Sequence, residues 1–268
     1  MKLYMFVLMS VVLISLSGCS KNDTTGPQSG NSGTIQINMI DSPAGYDEVN
    51  IAVDSVQVHI STSDSTSGWI TINRTPAIYD LLKLVNGSFV VIGQATVPVG
   101  DYTQARLYIG TGSNVVVNGV PYSLTTPSGS QSGVKVNINA TIQADITYVL
   151  TFDFDANKSI VKTGSPTNPK YILKPVIRTL TTTASTGIIA GSVFPDSTMP
   201  TIWAFGPVDT VSTVADTSGG FKLLYLSPAV YSVFISPKDT LYRDTTITNV
   251  NVVAGATTNL GTINLTHN

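Results

Sequence analysis

The chain runs to 268 residues, long enough for one large or two ordinary domains with real cores. Charged residues make up only 11% of it, with 14 Lys and Arg against 16 Asp and Glu. No basic patch is visible, which argues against nucleic acid and acidic membrane surfaces as partners. The 42% hydrophobic fraction comes with abundant Thr, Ser, Val, Ile, Gly and Pro, residues that suit pleated surfaces and turns, so the class is all-β.

In chain order, Met1-Lys2 is followed by the run from Met5 to Leu16, apolar except for Ser10 and Ser15. A positive start, a short greasy stretch and the small-residue exit Leu16-Ser17-Gly18-Cys19 read as a secretory signal peptide over residues 1–18. The exit resembles the lipobox of bacterial lipoproteins, which implies that Cys19 is acylated and becomes the first residue of the mature protein. Cys19 is the only cysteine, so the mature body relies on its core and not on disulfides. Residues 19–33 offer nothing to bury and read as a flexible tether. The start of the tether, Cys19-Ser20-Lys21-Asn22-Asp23, resembles the export signal of surface lipoproteins in the Bacteroidota. That resemblance implies a lipid-anchored protein of the outer membrane that faces outward.

A first unit spans residues 34–180. Ile35, Ile37 and Met39 alternate with Gln36 and Asn38 as a strand, and Asp41-Ser42-Pro43-Ala44-Gly45 reads as a turn. Val49, Ile51 and Val53 share one parity while Val56, Val58 and Ile60 have the other, so a β-bulge is expected at Asp54-Ser55. Ser61 to Gly68 is a polar hairpin loop before a return strand at Trp69-Ile70-Thr71-Ile72. Ile78, Leu81, Leu82 and Val85 follow helical spacing, predicting a short helix closed by Asn86-Gly87. Strands resume at Phe89 to Val97 and Tyr102 to Ile109. Asn118-Gly119 between two apolar runs is a strong hairpin signal. Val134, Val136 and Ile138 mark another strand. Tyr148, Leu150, Phe152 and Phe154 form an aromatic core face, and Tyr171 to Leu180 reads as one last strand with Pro175 at an edge or bulge.

Residues 181–187 break the pattern and read as a linker. A second unit over residues 188–268 carries strands at Ile188 to Val193, Ile202 to Phe205, Phe221 to Leu226, Val230 to Ile235, Thr245 to Val253 and Asn259 to Leu265. Short strands at this spacing suggest a small β-sandwich, and the expected architecture is two β-sandwich domains on a lipidated stalk.

The first unit resembles a domain-of-unknown-function family (4382 type) seen in bacterial lipoproteins. The carriers are Asp41-Ser42-Pro43-Ala44, Ile78-Tyr79-Asp80-Leu81-Leu82, Gly100-Asp101-Tyr102-Thr103-Gln104-Ala105-Arg106-Leu107, Gly133-Val134-Lys135, Asp153-Phe154-Asp155-Ala156 and Leu173-Lys174-Pro175-Val176-Ile177-Arg178. The resemblance implies a β-sandwich, export and no assigned activity. The second unit resembles carboxypeptidase-regulatory-like domains, through Ile189-Ala190-Gly191-Ser192-Val193, Asp216-Thr217-Ser218-Gly219-Gly220-Phe221 and Val252-Val253-Ala254-Gly255. Those domains have a transthyretin-type, carbohydrate-binding-like sandwich; Val230-Tyr231 departs from their usual Gly-aromatic pair.

Asp153, Asp155 and Asn157 match the first side-chain ligands of a calcium loop and are the candidate metal ligands. Lys158 stands where that loop needs Gly, and Gly164 stands where it needs Glu. The competing reading is charge pairing to Lys135, Arg106 or Lys174. As a glycosidase pair, Asp153 and Asp155 would sit side by side on one strand and not across a cleft. Of the two histidines, only His59 suits a Ser/His arrangement, and no Gly-x-Ser-x-Gly elbow exists. No catalytic residue is assigned. Trp69, Trp203 and the tyrosines suit a core or stacking role. Asp-Ser and Asp-Thr pairs at Asp23, Asp54, Asp64, Asp196, Asp209, Asp239 and Asp244 resemble an O-glycosylation acceptor. The expected function is non-catalytic contact with polysaccharide or an envelope protein. The alternatives are a fimbria-like or matrix subunit assembled by strand pairing and, third, an envelope hydrolase.

Overall fold

The computed structural model describes residues 31–64, 67–127, 132–181, 186–208 and 210–268. The leader, Cys19 and most of the tether lie outside the described residues, as do residues 182–185 and the acceptor positions Asp23 and Asp209. The protein is all-β. Its first strands are β1 (Ser32–Ser42), β2 (Glu48–Ile60), β3 (Trp69–Asn73), β4 (Ala77–Asp80), β5 (Val90–Pro98), β6 (Gly100–Ile109) and β7 (Asn114–Val117). Next come β8 (Val120–Thr125), β9 (Val134–Ile142), β10 (Thr147–Asp155), β11 (Ile160–Ser165), β12 (Asn168–Leu173) and β13 (Ile177–Thr181). The remainder are β14 (Gly187–Phe194), β15 (Thr201–Phe205), β16 (Thr210–Val214), β17 (Gly220–Leu226), β18 (Ala229–Ser236), β19 (Thr245–Val252) and β20 (Thr257–Asn264).

Four sheets result. One runs β13-β10-β1-β5, and a nine-stranded sheet runs β11-β12-β8-β7-β2-β6-β9 with β3 and β4 also on β2. The others run β17-β14-β20 and β16-β15-β18-β19. Buried apolar side chains gather in two clusters, one from Ile35 to Leu173 and one from Ile189 to Leu265. Ile35, Ile37 and Met39 are fully buried, as period-2 alternation dictates for a strand with one face on a core. β1 begins at Ser32, three residues before the expected strand start at Ile35.

The bulge falls where parity required it, with the β2–β6 register shifting between Val53 and Ser55. Val49, Ile51, Val53, Val56 and Val58 are therefore all buried in a single 13-residue strand. Asn118 and Gly119 both take positive φ, 51° and 73°, the conformation that joins β7 to β8 in a two-residue hairpin.

Three expectations are corrected. Residues 77–80 are a strand paired to β2, and only Leu81–Lys83 makes one 3-10 turn. Four apolar positions ending at Asn86-Gly87 are too few to support an isolated helix, and the open backbone of Asn50–Val53 takes them in extended form. Ile78 is accordingly 60% exposed. Tyr171 to Leu180 is two strands in two different sheets, because Pro175 cannot donate to a ladder. Ser159 fixes that corner: its hydroxyl accepts from Val176 N at 2.8 Å and its carbonyl from Lys174 N at 2.8 Å. Asp41 and Ser42 finish β1 and do not form the turn.

A candidate site at the junction of the two units

β10 lies parallel to β1, which sets Asp153 opposite Ile40 and Asp155 opposite Ser42. Asp153 is buried and faces Arg178, its register partner on β13, with Nε at 3.1 Å and Nη2 at 2.5 Å from Oδ2. The Ser42 hydroxyl donates to its other oxygen at 3.3 Å. Asp155 ends β10 and caps the helical turn Ala156–Ser159, accepting from Lys158 N at 2.9 Å and pairing with Lys158 Nζ at 2.7 Å. The cations that hold these carboxylates are thus Arg178 and Lys158, and not Lys135, Arg106 or Lys174. Asn157 is exposed in the same turn. Among the described residues no three His, Cys, Asp or Glu side chains come together as metal ligands. A calcium ion on Asp153, Asp155 and Asn157 would have to displace Arg178 and Lys158.

A third carboxylate belongs to this cluster. Asp41 continues the inward parity of Ile35, Ile37 and Met39, and it is only 5% exposed. One of its oxygens accepts from Ala156 N at 3.0 Å, while Oδ2 is buried without a partner. Burial pushes the Asp41 pKa well above 3.8, with smaller pushes from Asp153 and Asp155 against the lowering pull of the Ala156 bond. A carboxyl whose pKa is raised by folding supports stability fully below its ordinary pKa. That support is lost as pH rises through the folded value. Asp41→Asn is therefore expected to be more stable than the native chain at pH 8, with the gap narrowing as pH falls toward about 4. Urea midpoints across that range measure it, and a gap independent of pH would show that Asp41 does not titrate there.

Asn86 and Gly87 close the 3-10 segment in left-handed conformations, φ 56° and 89°. Asn86 then reaches into the second unit. Its backbone N donates to Thr213 Oγ1 at 3.0 Å, and its Nδ2 donates to Gly220 O at 3.1 Å and Asp216 Oδ2 at 3.3 Å. Its Oδ1 accepts from Lys222 N at 2.6 Å. Asp216 also accepts from Ser218 and Gly220, and these bonds, the Ser218 hydroxyl first, lower its pKa.

On the second unit, β15 turns Ile202 and Ala204 into the core and Trp203 and Phe205 outward. The Trp203 ring packs at 5.7 Å, tilted by 39°, on Phe234, its register partner on β18, and Phe205 is 46% exposed. This solvent-side aromatic strip runs into a cleft of about 410 Å³. Its far wall is Pro43, Ala44, Asp155, Asn157 and Lys158 of the first unit. Volume, aromatic lining and a few polar groups are those of ligand clefts between units. Phe205 and Phe234 were missed from sequence; their signal was parity, since both are out of phase with the buried residues of their strands.

His59 is buried on the nine-stranded sheet, its Nε2 2.7 Å from the Asp64 carbonyl oxygen and its ring 4.9 Å from that of Trp69. His267 packs at 4.3 Å on Tyr242. No helix among the described residues is long and apolar enough to cross a membrane.

Fold and junction together define an all-β protein of stacked sheets around two cores. The family model described as a domain of unknown function (DUF4382) matches residues 32–175, and the chain belongs to that family. No curated protein matches it. Among solved structures, a type II cohesin–X-dockerin complex from Acetivibrio cellulolyticus is 23% identical over 30% of this chain, at a TM-score of 0.25. The match spans 58% of that chain. The minor pilin of Streptococcus agalactiae is 11% identical over 87% of this chain and 96% of its own, at 0.24. The major pilin subunit of Bacillus cereus is 8% identical over 88% and 100%, at 0.21. Likeness at these scores carries no function across.

Proposed function

We propose that this protein is a non-catalytic module of the cell envelope, anchored through lipid on Cys19, that holds a polysaccharide on the Trp203–Phe234–Phe205 strip. The single observation behind the reading is that strip. Aromatic rings normally leave water for a core, yet these lie on the outer face of β15 and β18, and Trp203 and Phe205 line the cleft between the units. Flat apolar rings stack on the C–H faces of sugars. Asp155, Asn157 and Lys158 opposite them supply acceptors and donors for sugar hydroxyls.

A glycan array probed with the purified chain tests this. Binding is expected for the native chain, and Trp203→Ala with Phe205→Ala should lose about tenfold or more, since aromatic anchors covered on binding carry most of a binding energy. An array that stays blank, or an unchanged double variant, removes the reading. Concentration-dependent oligomers on a blank array would favour a strand-paired structural subunit. Anchoring has its own test: globomycin, which blocks the lipoprotein signal peptidase, should make an unprocessed precursor accumulate. A normal mature mass in treated cells would remove Cys19 from the account.

A further inference from the structure

We infer that the outer face of the nine-stranded sheet carries a second binding surface, centred on Arg106, that takes an acidic polysaccharide. The strand registers set Thr71, Gln57, Arg106 and Lys135 in one row across β3, β2, β6 and β9. His59, Gln104 and Asn137 follow in the next. Val56, Val58, Ala105, Leu107 and Val136 point the other way and are buried, so both rows lie on the face turned from the core.

The Arg106 side chain is fixed in place on this face. Its guanidinium lies 3.8 Å over the ring of Trp69, and its Nη1 donates to the Tyr108 hydroxyl at 3.3 Å. Its Nε is buried with no hydrogen-bond partner. That atom is closed off from solvent, so an anion would meet the rest of the half-buried side chain, whose planar fork suits a carboxylate or sulfate. The ion pairs among the described residues are Lys83–Asp80, Lys158–Asp155 and Arg178–Asp153, so Arg106 and Lys135 have no counter-ion there. The backbone is also shaped around this side chain. Gly133 sits at φ 70°, and a Cβ there would lie 2.4 Å from Arg106 Cγ. Any side chain at 133 would push the arginine off its shelf. Of the carboxylates nearby in sequence, Asp64 accepts from Ser67 N at 2.8 Å in the loop beside His59, Asp101 accepts from Thr141 at 2.7 Å, and Asp54 lies in the bulge beside Gly110.

The rest of the face fixes the class of anion. The Tyr108 hydroxyl donates to Gln57 Oε1 at 3.4 Å, and Gln57 Nε2 donates to Thr71 Oγ1 at 3.2 Å. With Gln104 and Asn137 alongside, the cation is set among amides and hydroxyls that both donate and accept, as sugar hydroxyls require. Strands about 4.8 Å apart make these rows a flat track across the sheet, suited to an extended chain. The surface is independent of the aromatic strip on the second unit, and either can fail alone.

The test is affinity electrophoresis of the full chain in detergent through gels containing polygalacturonate, neutral dextran or polyglutamate. Polygalacturonate should retard the native chain, less so as salt rises, and dextran should not. Arg106→Gln should weaken the retardation roughly tenfold, and Arg106→Lys nearly as much, because an ammonium lacks the planar fork. Lys135→Gln, at an exposed position, should give a smaller loss in a fold left intact. Lys238→Gln, which removes an exposed positive charge from the second unit, should change nothing here, showing that the loss belongs to this face and not to net charge. No retardation by polygalacturonate, or full retardation of Arg106→Gln, would overturn the inference. Equal retardation by polyglutamate would reassign the face to an acidic protein.

Discussion

Arg178→Met will lower the stability of the first unit by about 3 kcal/mol, read as a urea midpoint or as a drop of roughly 6–12 °C in melting temperature. The reason lies in what the change leaves behind. Asp153 keeps 7% of its side chain in water and stands near Asp41 and Asp155 at the end of two parallel strands. Breaking a buried pair by removing one member typically costs about 3–5 kcal/mol. Arg178 itself is 36% exposed, so solvent reaches the site and the lower end of that range applies. Asp153→Asn in the same chain should recover most of the loss, because no charge is then stranded. A loss under about 1 kcal/mol, or a double variant no better than the single, would show that the pair does not hold β10 to β13.

Asn86→Gly will uncouple the two units. Glycine keeps the left-handed turn at no strain, so only the side chain's hydrogen bonds to Gly220, Asp216 and Lys222 are removed. At about 0.5–1.5 kcal/mol each, they amount to roughly 2–4 kcal/mol of coupling, less where water competes. Calorimetry should show one cooperative transition in the native chain and two in the variant, with small-angle scattering reporting a wider spread of shapes. The glycan binding proposed for the cleft should fall as well, although no wall residue is touched, because its two walls come from different units. Asn86→Ala should be worse than Asn86→Gly by about 1 kcal/mol, the cost of a Cβ in that conformation. A variant that still melts in one transition would place the coupling elsewhere.

The strands that alternate cleanly were legible because burial on one face writes period 2 into the sequence. β1, β2 with its bulge, the Asn118-Gly119 hairpin and the core face of β10 all carry that mark. β11 and β16 were not seen. Ile160–Ser165 and Thr210–Val214 fade into polar residues, and pairing to β12 and β15 extends them. The apparent helix near Leu81 failed for the same reason: a few spaced apolar residues are ambiguous until a neighbouring strand offers hydrogen bonds. The candidate site was half legible. Asp153 and Asp155 stand out as an acidic pair, whereas Trp203 reads from sequence as a core residue before a stacking one. Asp41 was hidden by the turn-like Ser42-Pro43 after it, although its parity already assigned it to the core.

What the sequence alone determined is the all-β class and, strand by strand, which side chains face a core. That information is local, because the alternation of a pleated strand depends only on its own residues. What tertiary structure decided is partnership. Asp153 takes Arg178 because β10 and β13 lie in register, Asp41 joins the cluster because β1 runs parallel to β10, and Asn86 meets Asp216 across 130 residues of chain. Such contacts depend on how distant strands choose register and neighbour, a choice made by the packing of whole sheets and one that no local pattern encodes.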